Sequence, residues 1–289
     1  LSVLQKILGQ ALDEYNESNA QMDLVLFEDA LNHVCRITRI INNPSGHALL
    51  VGVGGSGKKS LSRLASFICG YQTSTIQISA TYGINDLKTD LQEVYKQAGI
   101  KGEGAMFLFT DAEITNERFL VYLNDLLGSA DIAGLYAQDE KDEVIGSVTK
   151  KAKAAGFAPE PGPVYDFFLQ EVRRNLHVCL CCSPVGPDFS TRCQRFPALV
   201  NCTVIDWFQP WPEQALYSVG CKFLEAIEDL GGDAVRAQLQ TFMPELAGST
   251  NAMATTFKQM EGRFVYTTPK SYLELLKLYS ELLARKRAE

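Results

Sequence analysis

The residues with the clearest chemistry lie in one glycine-rich segment, Gly52 to Ser60, which contains Lys58. Residues 48–51 before it are all apolar and predict a buried strand, and residues 61–68 after it carry apolar side chains at helical spacing. Glycines in such a loop let backbone N–H groups approach phosphate oxygens, and the helix N-terminus adds partial positive charge. Because Lys58 can reach the terminal phosphates, the segment predicts a phosphate-binding loop.

The residue after Lys58 bears on magnesium. In loops of this type a Ser or Thr hydroxyl at that place holds Mg²⁺, but here the residue is Lys59 and the hydroxyl follows at Ser60. One residue is about 100° of helix rotation, so Ser60 is a metal candidate only from a shifted position. We therefore predict that ATP or ADP binds, and we leave Mg²⁺ binding and hydrolysis open. The predicted nucleotide-binding residues of the loop are Gly52, Gly54, Gly55, Ser56, Gly57, Lys58, Lys59 and Ser60.

A second acidic centre follows the apolar run 106–109, which predicts a central parallel strand. In P-loop ATPases the end of this strand supplies a residue that holds Mg²⁺ and a neighbour that activates water. One alignment gives these places to Thr110 and Asp111. An offset alignment gives them to Asp111 and Glu113, although adjacent strand side chains face opposite ways. We favour the first, in which Asp111 is a degenerate catalytic acid; alternatively, Asp111 caps the turn after the strand.

Further candidates follow the predicted strand 177–182. Ser183 would lie at the carboxyl edge of the sheet, where it can sense the terminal phosphate; alternatively, it is a turn residue before Pro184. Arg192 and Arg195 lie in the next helical stretch, from which an arginine can reach the phosphates of a neighbouring subunit. For Arg195 a solvated helix face is the better interpretation.

Strands alternating with helices position these residues. Strands are predicted over 48–51, 74–78, 105–109, 177–182 and 200–205, and helices over 82–98, 116–127 and part of 139–163. The alternation predicts an α/β fold in which helices cover both faces of a parallel sheet. Two helices, 2–15 and 28–42, are predicted ahead of the loop. The connector between them contains Val25 and Leu26, which either line an adenine pocket or pack in the core.

A change of composition at 207–212, a segment with two Trp and two Pro residues, predicts a hinge. Beyond it the apolar spacing is helical, over 213–230, over 234–260 and from 269 onward. Thr268 is a typical N-cap, with Pro269 at the first helical position. We therefore predict a large α/β nucleotide-binding domain at 1–208 and a small helical domain at 209–289.

Composition argues against several kinds of partner. The net charge of the 289-residue chain is −7 and its basic clusters are short, so no nucleic-acid partner is predicted. No apolar run approaches the roughly 18 residues of a membrane span, so no membrane partner is predicted. Among the eight cysteines the only C-x₂-C spacing, Cys179 to Cys182, lies inside an apolar strand-like run and has no second such pair, which favours reduced thiols of a cytoplasmic protein over a zinc site. The start at Leu1 and the end inside a predicted helix suggest a piece of a longer polypeptide.

The assembled pattern resembles an AAA+ module, and more narrowly the fourth AAA+ module of axonemal dynein heavy chains. The likeness is carried by residues 25–30, 33–37, 52–64, 175–178, 183–186, 192–201, 205–208 and 268–272, and so covers nearly the whole chain. The resemblance implies a ring of six AAA+ modules in one polypeptide, with a microtubule-binding stalk emerging from the fourth. Residues 269–289 would then begin the coiled-coil helix of the stalk.

The resemblance also implies roles for single residues. Lys270 matches a phosphate-sensing Arg or Lys at the start of the last helix. Asp111 stands where the catalytic acid is usually Glu, and Ser183 where a sensing Asn is common. Cys202 occupies the place of the arginine finger that acts on a neighbouring module, which leaves Arg192 as the candidate for that role.

The function that follows is a regulatory or structural ATP-binding module of a minus-end-directed dynein motor, with weak or absent hydrolysis. The implied partners are the neighbouring AAA+ modules, other dynein subunits and, through the stalk, the microtubule. The implied location is the axoneme of a cilium or flagellum. The alternatives are a hydrolysis-competent AAA+ ATPase, an architectural module with an empty loop and a P-loop small-molecule kinase. The kinase would need an acceptor pocket and basic lid residues, which the helical C-terminal part does not offer.

Overall fold

The computed structural model of the chain describes residues 2–227, 230–263 and 265–289, and within them the strands form one parallel five-stranded sheet. In chain order the strands are β1 (Ala48–Val51), β2 (Gln72–Thr75), β3 (Ala105–Thr110), β4 (Leu176–Cys182) and β5 (Val204–Trp207). Their spatial order is β2-β3-β4-β1-β5. The predicted α/β fold with a parallel sheet among helices is confirmed.

Helices cover the sheet on both faces. In the α/β part they are α1 (Ser2–Ser18), α2 (Glu28–Ile41), α3 (Lys58–Ile68), α4 (Ile84–Tyr95), α5 (Arg118–Gly128), α6 (Gln138–Ala154), α7 (Pro161–Asn175), α8 (Asp188–Arg195) and α9 (Ala198–Asn201). Successive side chains of a strand face opposite ways. Leu49 and Val51 therefore pack in the cluster shared with α4 to α7, and Leu50 packs in the cluster shared with α1 to α3.

Two of the observed strands lie at positions that differ from the predicted ones. The prediction 74–78 runs too far, because the strand ends at Thr75 and its four residues pair with the first four of β3. The prediction 200–205 is wrong in its first half. Pro197 precedes the helical turn α9, and pairing with β1 begins only at Val204.

The segments that precede β3 and β4 also differ from prediction. The helix predicted over 82–98 leaves α-helical geometry at Tyr95 and continues as a π-helical turn, Lys96–Lys101. In that turn Gly99 lies against the Phe168 ring so closely that no side chain fits. The segment 139–163, for which a helix was predicted over part of the length, is helical for most of it, since it contains nearly all of α6 and the first turn of α7.

The C-terminal part is helical, with α10 (Glu213–Glu225), α11 (Asp233–Glu261) and α12 (Pro269–Ala288). Val219, Met243, Tyr272 and Leu276 form an apolar cluster of their own between these helices. The predicted helix 213–230 ends earlier, at Glu225, and its residues 228–229 lie outside the described residues. The N-cap at Thr268 is confirmed, because its hydroxyl accepts a hydrogen bond from Ser271 N at 3.4 Å. The domain boundary at 208/209 stays a prediction.

The long helices of the C-terminal part are amphipathic or polar. Across the described part of the chain, no helix combines the length and the apolar composition needed to cross a lipid bilayer.

Candidate functional site

A cavity of about 600 Å³ opens at the carboxyl edge of the sheet, between the α/β part and the C-terminal helices. One wall is the loop between β1 and α3, with Gly55 to Gly57 followed by Lys58 to Ser60. The opposite wall carries apolar and aromatic side chains, among them Val25, Phe27, Trp211 and Leu273. Cavities of this size, apolar on one side and polar at a few points on the other, are typical of small-ligand sites.

The loop conformation follows from its glycines. Gly55 and Gly57 have φ angles of 79° and 89°, in the left-handed region that costs other residues energy. Gly52 has a different reason, because a Cβ atom there would lie 2.6 Å from the Cβ of Phe208. The chain therefore turns sharply from β1 into α3, and the N-terminus of α3 faces the cavity. Such a helix end favours an anionic ligand.

The Lys58 ammonium is held over this loop. Its Nζ donates hydrogen bonds to Gly52 O at 2.6 Å and to Val53 O at 2.9 Å. Burial lowers the pKa of Lys58, and nearby groups including Asp111 oppose that shift. The ammonium thus faces the cavity with carbonyl partners that a phosphate group can replace, which fits the predicted contact with a nucleotide.

The carboxyl end of β3 brings the two acidic candidates together with protein donors. Asp111 accepts hydrogen bonds from Ser183 N and Ala112 N, at 2.8 and 2.9 Å. Glu113 accepts one from Thr110 N at 2.8 Å and forms an ion pair with Lys59, whose Nζ lies 3.1 Å from Oε1. Both carboxylates are therefore engaged inside the protein, on all four of their oxygens.

These donors do not fit the magnesium ion that P-loop ATPases use. Mg²⁺ requires oxygen ligands, and here the carboxylate oxygens already accept hydrogen bonds while two ammonium groups, of Lys58 and Lys59, line the same cavity. The Thr110 hydroxyl is buried and has no hydrogen-bond partner among the described residues. Ser56 and Ser60 add two further hydroxyl groups to the lining. Within residues 2–227, 230–263 and 265–289, no group of three or more His, Cys, Asp or Glu side chains is arranged to hold a metal.

Ser183 and Arg192 lie beside Asp111, in a second cavity of about 360 Å³ on the far side of the β3 edge. The Ser183 hydroxyl lies 3.4 Å from Val185 N, as in a turn, while its backbone N–H binds Asp111. Arg192 Nε is 3.7 Å from Glu117 Oε1, and Arg195 donates to the same carboxylate at 2.9 Å. The structure thus groups Ser183 with Asp111, and it places both arginines next to an acidic side chain of their own chain.

The remaining candidates occupy different surroundings. Val25 lines the cavity, whereas Leu26 is buried in the core with α1 to α3. Gly54 lies in the loop with open space around it. The backbone of Lys270 packs on Gly55, but its exposed ammonium lies 3.6 Å from Glu274 on the next turn of α12. The predicted roles of these residues in binding or sensing nucleotide stay predictions.

Sequence reasoning did not find a buried polar cluster at the back of the cavity. His33 Nδ1 donates to Asp206 Oδ2 at 2.6 Å, and Arg36 donates to the other oxygen at 3.0 Å. The His33 ring stacks on Phe208 with centroids 3.8 Å apart. The cluster joins α2 to β5 and to the start of the predicted hinge. No local signal identifies it, because His33 and Asp206 are 173 residues apart in the chain.

The sheet order, the glycine loop facing a cavity and the helical C-terminal part define an AAA+ module built around a P-loop. The chain belongs to the family described as "P-loop containing dynein motor region D4", whose sequence profile matches residues 22–282. This confirms the resemblance to a dynein module.

Curated relatives agree with this family. The dynein alpha chain of the flagellar outer arm of Chlamydomonas reinhardtii is 54% identical over 284 residues, which cover 98% of this chain and 6% of that protein. Dynein axonemal heavy chain 17 of Homo sapiens is 48% identical over 289 residues, 100% of this chain and 6% of that protein. A ciliary dynein beta chain of Tripneustes gratilla is 49% identical over 286 residues, 99% and 6% respectively. The chain thus spans about 6% of the length of these relatives.

Proposed function

We propose that this chain is a regulatory nucleotide-binding module of an axonemal dynein motor, which holds adenine nucleotide and hydrolyses it weakly or not at all. One combined observation carries the proposal: the phosphate loop faces an open cavity, and the acidic side chains beside it already accept hydrogen bonds from the protein. Lys58 faces the cavity, while Asp111 accepts two backbone hydrogen bonds and Glu113 pairs with Lys59. These contacts support the binding of nucleotide, and they do not support the activation of a water molecule for hydrolysis.

The residues divide into a phosphate side and a base side. On the phosphate side, the N–H groups of Gly55 to Gly57 and the Lys58 ammonium would hold the phosphates. On the other side, the apolar wall at Val25, Phe27 and Trp211 would take the base; the rings of Phe27 and Trp211 meet edge to face with centroids 5.3 Å apart. In charge and size, the phosphates of ATP or ADP would fit the loop and the adenine base would fit the apolar wall.

The bound nucleotide would set the angle between the α/β part and the helical part. Two contacts support this coupling: Lys270 packs on Gly55, and Lys222 donates to Leu24 O at 2.7 Å. We expect α12 to continue as the stalk helix, so that a change of angle reaches the microtubule. The names of the relatives place them in flagella, cilia or axonemes, and we extend that location, with neighbouring AAA+ modules and other dynein subunits as partners, to this chain.

A local measurement on the intact polypeptide that contains this chain tests the proposal. ATP is titrated while amide hydrogen exchange of peptides covering 52–64 is followed, in wild type and in Lys58→Ala. We expect saturable protection in wild type and at least tenfold weaker binding in the variant, because a charge-assisted contact to phosphate is lost. Equal affinity of the two proteins would remove nucleotide from the function.

Hydrolysis and geometry need separate measurements. Phosphate release is followed in a polypeptide whose other phosphate loops carry the same Lys→Ala change, and we expect no turnover above the Lys58→Ala background. Clear magnesium-dependent release would instead show a competent ATPase. Structures of the ATP and ADP forms should differ in the angle between the two parts, and identical geometry would contradict the coupling.

A further inference from the structure

The start of α3 carries a cation where a P-loop ATPase carries a metal ligand. Lys59 follows the loop lysine directly, at the position that a Ser or Thr hydroxyl occupies in metal-binding loops. Its Nζ reaches across to the carboxyl end of β3 and donates to Glu113 Oε1 at 3.1 Å. The ion pair therefore joins the two elements that hold Mg²⁺ in a P-loop ATPase.

We propose that this site binds adenine nucleotide without a resident divalent cation, and that the Lys59 ammonium supplies the positive charge that the metal supplies elsewhere. The inference rests on the proposed nucleotide binding and deepens it. Lys59 is half exposed, with a side-chain exposure of 50%, so a phosphate group can approach it. Glu113 is 12% exposed, and its ion pair with Lys59 fixes the direction in which the Lys59 ammonium points.

The polar groups at this edge suit a phosphate group better than a metal. Phosphate oxygens accept hydrogen bonds, and the cavity presents the donors Lys58, Lys59 and the Thr110 hydroxyl. The Thr110 Oγ1 is buried without a hydrogen-bond partner in the described residues, in a residue only 4% exposed. A divalent cation at this edge would meet two ammonium groups, and the carboxylate oxygens of Asp111 and Glu113 already accept hydrogen bonds from the protein.

The test measures the metal dependence of local ATP binding in the intact polypeptide. Hydrogen exchange of peptides covering 52–64 is titrated with ATP in excess Mg²⁺ and in EDTA, for wild type, Lys59→Thr and Glu113→Gln. In wild type the two apparent affinities should agree within about twofold. In Lys59→Thr, which restores a hydroxyl and frees Glu113, EDTA should weaken binding about tenfold relative to Mg²⁺.

Two controls separate this mechanism from a general loss of charge. Glu113→Gln keeps the Lys59 ammonium, so its binding should stay independent of Mg²⁺. Lys150→Thr removes one exposed positive charge on α6, away from the cavity, and should behave as wild type. If wild type requires Mg²⁺, or if Lys59→Thr binds equally well in EDTA, the metal-free mechanism is wrong while nucleotide binding stands. If ATP protects 52–64 under neither condition, the proposed function itself fails.

Discussion

A Cβ atom on Gly55 would lie 2.5 Å from Lys270 Cβ and 2.6 Å from Lys270 N, so the glycine loop and the first turn of α12 are in direct contact. Only a residue without a side chain permits this approach. The first turn of α12 is otherwise held by the Thr268 cap and by Tyr272, whose hydroxyl donates to Leu216 O at 2.9 Å. We therefore expect a movement of the loop to reach α12 through this direct contact.

Gly55→Ala should release this contact. The φ angle of 79° is strained for alanine, and the added methyl group meets the Lys270 backbone, which together should cost about 1–3 kcal/mol. We expect faster amide hydrogen exchange in peptides covering 268–276, measured by mass spectrometry. Gly54→Ala is the matched control, because nothing lies within 4 Å of a Cβ there. Unchanged exchange in Gly55→Ala would mean that the contact does not hold α12.

Asp206→Ala should destabilise the back of the cavity far more than Arg36→Ala. Asp206 is 3% exposed and its carboxylate binds both His33 and Arg36, so its removal leaves His33 without its buried partner, at a cost of about 3 kcal/mol. Arg36 is 57% exposed, and its loss should cost less than about 1 kcal/mol. Urea denaturation of the two variants checks the difference. Similar midpoints would contradict the structural role of the His33–Asp206 pair.

Burial explains which strands could be predicted from the sequence. The runs at β1, β3 and β4 are apolar along their length because both faces of a central parallel strand are covered. The edge strand β5 has the opposite pattern. Its Val204 and Trp207 are 54% and 51% exposed, while Asp206 is buried. The apolar residues therefore predicted a strand that begins too early, at residue 200. The actual register of β5 depends on the partner that Asp206 has in α2.

The candidate site also has one part that could be predicted from the sequence and one part that could not. The place of the loop at the carboxyl edge of the sheet follows from the local order of strand, glycines and helix. The state of the acidic side chains does not follow from local sequence. The pairing of Lys59 with Glu113 spans 54 residues, and the bond from Ser183 N to Asp111 spans 72. Alternatives that spacing left open, such as Asp111 as a cap, depend on contacts that only the fold creates.

Stability should depend on pH through His47, which lies on the side of the sheet away from the cavity. Its Nδ1 accepts a hydrogen bond from Val178 N at 3.0 Å. Burial, and to a smaller extent repulsion from His177, lowers the pKa of His47 from 6.5 to about 4. Between these values the unfolded chain binds the proton and the folded chain does not. Stability is therefore full above pH 6.5 and falls as the pH drops toward 4, by up to about 3 kcal/mol.

His47→Asn checks this prediction, because the amide oxygen can accept from Val178 N and does not titrate. Urea denaturation between pH 4 and 7.5 should give a smaller loss of stability in the variant than in wild type. Carboxyl groups titrate in both proteins, so the difference between the two curves isolates His47. Parallel curves would show that His47 keeps its ordinary pKa in the folded protein.

Asp111 should behave as a structural acceptor rather than as a base. Its two oxygens accept from Ser183 N and Ala112 N, so Asp111→Ala leaves both N–H groups without this partner and should cost about 1–3 kcal/mol. Amide exchange in peptides covering 183–187 should accelerate, while phosphate release from this site stays at background. Asp13→Ala, on an exposed face of α1, is the control for loss of a carboxylate. If Asp111→Ala instead abolishes measurable phosphate release and leaves stability unchanged, the carboxylate acts on water, and Asp111 takes the catalytic place that its position after β3 first suggested.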